Sequence, residues 1–131
     1  MGSKTHIVSK FAKHDGRLIT DSGASVTLGT RAETFSAYEL LLGGLSHCLF
    51  STYESMAEKM QLEYSGMDMN VTGVKRDEKV ATLQTVDIEV LAKGVVDQAK
   101  FEKAFEISTR YCSIFNTLSQ VAKMRWNITY A

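Results

Sequence analysis

The chain has 131 residues, with 15 Lys and Arg against 15 Asp and Glu, so its formal net charge is zero. That balance leaves no electrostatic footprint for nucleic acid or an anionic membrane. Its 44% hydrophobic and 23% charged content excludes a disordered tail and, at this length, predicts one domain over residues 1–131.

Three short strands are predicted first, over residues 5–12, 17–20 and 25–30. His14-Asp15-Gly16 and Asp21-Ser22-Gly23 supply the turn signals of a small antiparallel meander. Ser36-Ala37-Tyr38-Glu39 then fits a capping box, in which the Ser36 hydroxyl serves the backbone donor three residues on and Glu39 reaches back. The helix it opens is apolar almost all round from residue 40 to residue 50 and should end near residue 60. Leu41, Leu45 and Cys48 recur at i, i+4, i+7, which puts Cys48 on a core-facing stripe. Gly43-Gly44 costs this helix about 2 kcal/mol relative to alanines, so close approach of another backbone is expected there.

Met67, Met69 and Val71 alternate with Asp68, Asn70 and Thr72 as in a half-buried strand. Residues 76–79 read as a polar turn, and residues 80–91 as the returning strand of a hairpin. Its apolar phase slips between Leu83 and Val86, which predicts a bulge near Gln84-Thr85, and Gly94 should end it. Asp97 caps a second helical region, residues 98–122, with Phe101, Ala104, Phe105, Ser108, Cys112 and Phe115 on its apolar stripe. Met124, Trp126, Ile128 and Tyr130 alternate with polar residues in a last strand. The order β-β-β-α-β-β-α-β is that of an α+β protein. The first helix is more apolar than one small sheet can cover, so a homodimer closed over it is expected.

The chain start, Met1-Gly2-Ser3-Lys4-Thr5-His6, lacks the apolar core of a secretion signal. No apolar run approaches the ~20 residues that span a bilayer. A cytoplasmic protein without membrane or nucleic-acid partners is expected. The only cysteines are Cys48 and Cys112, 64 residues apart. No two of Cys48, Cys112, His6, His14 and His47 have zinc-ligand spacing, so no metal is expected. If the thiols meet, a structural crosslink would contribute roughly 4 kcal/mol, yet the cytosol keeps such a pair reduced unless it cycles. Cycling needs a thiolate, hence a cation or a helix N-terminus nearby. His47 is turned about 100° from Cys48 on a helix and Arg110 points away from Cys112, so the activating cation should come from a distant segment or another chain.

Glu39-Leu40-Leu41-Leu42-Gly43-Gly44-Leu45-Ser46-His47-Cys48 resembles the E-L-L-L-x-x-L-x-x-C helix start of the OsmC/Ohr proteins. Tyr111-Cys112-Ser113-Ile114 is similar to that family's second-cysteine motif. The resemblance implies the OsmC-like fold, with antiparallel sheets packed around two long apolar helices in an intertwined homodimer whose sites lie at the interface. It also implies a thiol-dependent peroxidase without a cofactor, acting on small hydrophobic organic hydroperoxides. Cys48 would be the peroxidatic residue and Cys112 the resolving one, with a dithiol reductant to reset them.

Departures from the family pattern mark this chain. Many members have C-P-V where it has Cys112-Ser113-Ile114. His14 stands where the hydroperoxidase branch places its activating arginine, which leaves Arg17 as the nearest guanidinium and the candidate cation. Glu39, nine residues before Cys48, is the candidate acidic residue of the site as well as a cap. Met67 and Met69 suit the lining of an apolar pocket. The other reading is a non-catalytic OsmC-fold protein that binds a small hydrophobic or thiol-reactive ligand.

Overall fold

The computed structural model describes residues 2–131. They fall into two compact units, one ending at Leu41 and one running Leu42–Ala131. No helix among the described residues is long and apolar enough to cross a membrane.

The first unit holds strands β1 (Ile7–Ala12), β2 (Asp15–Thr20) and β3 (Ser25–Gly29) in one antiparallel sheet of that order. Its first turn is tighter than the sequence signal suggested. Ala12 pairs with Asp15, so the loop is Lys13-His14 alone, and His14 turns the chain with a positive φ of 63°. Gly16 belongs to the strand instead, for a steric reason. It is buried opposite Phe11, and a Cβ there would stand 2.7 Å from the Phe11 ring. Beyond β3 the Phe35 N–H donates to the Thr27 carbonyl at 3.0 Å.

Helix α1 (Ala37–Lys59) starts in the first unit on the expected capping box. The Ser36 N–H donates to Glu39 Oε1 at 2.8 Å, and the Glu39 N–H to Ser36 Oγ at 3.2 Å. It ends as a Schellman turn in the second unit: Gln61 has φ 54°, and the Leu62 N–H donates to the Ala57 carbonyl at 2.8 Å.

The buried line of α1 is Leu45, Leu49, Tyr53 and Ala57. It follows pure i+4 steps rather than the expected Leu41, Leu45, Cys48 stripe. Leu41 is 38% exposed, and Cys48 is only half-buried, at the edge of the line. The expected backbone approach to Gly43-Gly44 is not found. Among the described residues a Cβ at Gly43 would meet nothing within 4 Å, and one at Gly44 only the Ile114 side chain at 3.9 Å.

The second unit's sheet has the order β4 (Gly66–Lys75), β5 (Leu83–Lys93), β6 (Lys123–Tyr130). Val74 pairs with Thr85 but Lys75 with Leu83, so Gln84 is the extra residue of the expected bulge. The bulge lets Leu83 and Val86 both point inward although three residues apart. The return strand begins later than residue 80 because Arg76 ties the connection down, donating to Thr82 Oγ1 at 3.1 Å and to the Val121 carbonyl at 3.0 Å. Gly94 ends β5 with φ 63°, where a Cβ would stand 2.5 Å from Ser65 Oγ.

Helix α2 (Gln98–Tyr111) is capped by Asp97 as expected, its Oδ1 accepting from the Lys100 N–H at 3.0 Å. The helical region 98–122 is not continuous. It breaks at Cys112, which is extended (φ −75°, ψ 116°), and resumes as α3 (Ser113–Ser119). β6 then runs parallel to β5, with Val86 opposite Met124 and Ile88 opposite Trp126, so this sheet is mixed rather than all antiparallel. A parallel neighbour needs a crossover, which α2 and α3 supply. The α+β class stands.

Val86, Ile88, Val90 and Ala92 of β5, with Phe101, Ala104 and Phe105 of α2, complete the core of this unit. The Tyr53 ring lies 4.7 Å from that of Phe101 and 5.4 Å from that of Tyr64, while Phe105 lies 5.0 Å from Trp126. Buried among them, the Tyr53 hydroxyl has no hydrogen-bond partner among the described residues. An orphaned buried hydroxyl costs free energy, so Tyr53→Phe should raise stability by about 1 kcal/mol. Urea denaturation checks this, and a loss of stability would show that the hydroxyl has a partner.

Candidate functional site

Cys48 lies midway along α1, and Cys112 forms the corner between α2 and α3. Their sulfurs, 64 residues apart along the chain, stand 3.1 Å from each other as free thiols. Cys112 is fully buried, whereas Cys48 keeps part of its surface open.

Local hydrogen bonding explains the corner. The Cys112 N–H closes α2 by donating to the Ser108 carbonyl at 2.9 Å. Its Sγ opens α3 by accepting from the Phe115 N–H at 3.4 Å, the position usually filled by Ser, Thr or Asp. The break leaves the last carbonyls of α2 without helical donors. Asn116 supplies one: its amide nitrogen reaches the carbonyls of Thr109 at 3.2 Å, Arg110 at 3.1 Å and Cys112 at 2.8 Å.

The corner also sets the electrostatics. Burial opposes charge on Cys48, but it is outweighed by donors from the Ile114 N–H, the Cys112 thiol, and the Ser113 hydroxyl and N–H, so the Cys48 thiol lies below its ordinary value. Ser113 Oγ stands 3.8 Å from Cys48 Sγ. Burial pushes Cys112 up to about 11, with the Cys48 sulfur adding to the rise and the Phe115 N–H opposing it. The pair is therefore graded: the open sulfur ionises first, beside a partner that keeps its proton.

The sequence had pointed to a cation for this task. Among the described residues the groups that lower the Cys48 thiol are neutral donors of the Ser113-Ile114 segment and the Cys112 thiol, and the reading of 98–122 as one helix concealed that segment. Ser113→Ala should consequently raise the Cys48 pKa and move the appearance of thiolate to higher pH, read by thiolate absorbance. An unchanged titration curve would remove Ser113 from the site.

The other candidate residues belong to the first unit, each with local partners. Arg17 is exposed on β2 and donates to Ser25 Oγ at 3.2 Å. Glu39 holds the helix cap, and the Ser36 N–H and hydroxyl keep its carboxyl below the usual range. On α1, Ser46, His47 and Phe50 flank Cys48 in sequence and face Met67 and Met69 of β4 around a cavity of about 260 Å³. Asn116 and Ser113 are the residues that sequence reasoning missed. The available signal was the stretch after Cys112, where Ser113, Asn116, Thr117, Ser119 and Gln120 crowd around Ile114, Phe115 and Leu118.

The OsmC family model, that of OsmC-like proteins, matches residues 29–127. An OsmC-like protein from Mycoplasma pneumoniae superposes with a TM-score of 0.90 at 23% identity, over 100% of this chain and 99% of that one. An organic hydroperoxide resistance protein from Elizabethkingia anophelis gives 0.80 at 13% identity, over 100% of both chains. The organic hydroperoxide resistance protein OhrB of Bacillus subtilis gives 0.75 at 12% identity, over 97% of this chain and 98% of that one. At such identities the likeness is one of fold. No curated protein matches the chain in sequence.

Proposed function

Since the chain belongs to the OsmC-like family, we propose that it is a thiol peroxidase that reduces organic hydroperoxides through Cys48 and Cys112. The 3.1 Å separation of the two sulfurs carries this reading. The Cys48 thiolate attacks the peroxide oxygen, the O–O bond breaks, and the alcohol leaves with a proton, so that Cys48 becomes a sulfenic acid. Cys112 then attacks the Cys48 sulfur. Its S–H proton leaves with the sulfenic hydroxyl as water, and a disulfide remains. Two electrons have passed from the thiols to the peroxide, and a dithiol reductant of the cytoplasm returns them.

The grading of the pair supports the division of roles, because the nucleophile must be charged and the resolving thiol must still hold a proton to give away. Structural neighbours named as organic hydroperoxide resistance proteins support the substrate class. A second copy of the chain, closing over exposed apolar residues such as Leu41, completes the assembly we propose. The test is anaerobic mixing of the reduced protein with cumene hydroperoxide. One peroxide should be consumed per chain, with loss of both thiols and a Cys48–Cys112 disulfide in the peptide map. Retention of both thiols would favour a binding protein without catalysis.

A further inference from the structure

The spacing of the two thiols suits a use that requires neither peroxide nor reductant. An atom that bonds thiolate sulfur at about 2.3 Å, the zinc–thiolate length, would see sulfurs 3.1 Å apart under an angle of about 85°. With the same bond length a tetrahedral centre holds its sulfurs about 3.8 Å apart and a linear one about 4.6 Å. An angle near 90° suits a pyramidal centre with a lone pair, such as trivalent arsenic or antimony, as well as the cis positions of a square-planar or octahedral ion, which needs further ligands.

Ligand number points the same way. Among the described residues no three His, Cys, Asp or Glu side chains converge to hold a metal ion. Zinc would lack its third and fourth ligands here. A trivalent metalloid needs only the two sulfurs, because it brings a hydroxyl or an organic group as its own third substituent.

We propose that Cys48 and Cys112 chelate trivalent arsenic, as arsenite or as a mono-organic arsenical. The half-open Cys48 bonds first, and Cys112 closes the chelate. Each thiol proton leaves with an arsenic hydroxyl as water, so two As–S bonds replace two As–O bonds. Arsenic stays trivalent and neither sulfur is oxidised. Because the fold already holds the sulfurs together, the second bond forms at high effective concentration.

This capture stands independently of the peroxidase reading, and it would block peroxide turnover by occupying both sulfurs. The full chain, reduced and freed of reductant, is titrated separately with arsenite and with phenylarsine oxide. Intact mass and a thiol count should show one arsenic per chain and both thiols consumed, reversed by excess dimercaptopropanol. Cys48→Ser and Cys112→Ser should each bind about 10²–10⁴-fold more weakly, as a two-point attachment reduced to one. Equal retention by either single-cysteine variant overturns the proposal. So does failure of the reduced protein to bind either arsenical, since sulfurs already held at 3.1 Å would then not chelate trivalent arsenic. Arsenic capture by a protein that consumes no hydroperoxide would sink the peroxidase reading and leave this one intact.

Discussion

Cys48→Ser should lower organic hydroperoxide turnover by about 10³-fold or more, whereas Cys112→Ser should allow one turnover and then stop. The asymmetry follows from the two environments. Cys48 has the open surface, and its donors from Ser113, Ile114 and Cys112 hold its thiol low. A serine hydroxyl in its place stays protonated at every working pH and cannot attack the O–O bond. Cys112 is buried with its thiol pushed up to about 11, so at neutral pH it acts as a hydrogen-bond donor and not as a first nucleophile.

With Cys112 replaced, the sulfenic acid on Cys48 has no sulfur at 3.1 Å to condense with. It should accumulate and be trapped by dimedone in a stoichiometric mass adduct. Activity of the wild type should fall as pH drops through the lowered Cys48 pKa, because protonation removes the thiolate. Full steady-state turnover by Cys48→Ser would end the proposed chemistry. Full turnover by Cys112→Ser would move resolution to another thiol.

Elements with strong local signals were legible in the sequence, and those set by tertiary geometry were not. The Ser36–Glu39 capping box formed as predicted, because both of its partners lie within one turn. A bulge near Gln84-Thr85 was legible because a two-residue period cannot slip without one, and the pairing makes Gln84 the extra residue. The β6 alternation was plain, but its direction was not. Pleat periodicity is the same in parallel and antiparallel strands, so the pairing of Val86 with Met124 left no mark in the pattern.

The break at Cys112 was hidden for a different reason. Ser108, Cys112 and Phe115 continue a helical period across the corner, and an apolar stripe does not register a single extended residue. Concealed with the corner were the hydrogen-bond donors that surround the Cys48 sulfur. Charge arithmetic looks for Arg, Lys or His, and the donors around Cys48 are backbone N–H groups and a hydroxyl.

Asn116→Leu should destabilise the protein by about 1–3 kcal/mol and slow disulfide formation by about 10-fold or more, while the first chemical step is largely kept. Leucine matches asparagine roughly in bulk but cannot donate, so the carbonyls of Thr109, Arg110 and Cys112 lose the amide that joins them. The partly exposed corner can recruit water in its place, which keeps the stability cost moderate. Water does not fix the angle between α2 and α3, however, and that angle sets where Cys112 Sγ points.

A 1 Å drift of that sulfur takes it out of line with the Cys48 S–O bond, and reactions held by geometry lose about 10²-fold from displacements of this size. Rapid mixing with a hydroperoxide separates the steps, since dimedone labelling reports the sulfenic acid and thiol loss reports the disulfide. Prolonged sulfenate in a folded Asn116→Leu protein, with an unchanged rate for the first step, would make Asn116 the positioning residue of resolution. Were both steps slowed alike, the corner would be acting only through overall stability, and Cys112 would owe its place to the burial of its own sulfur.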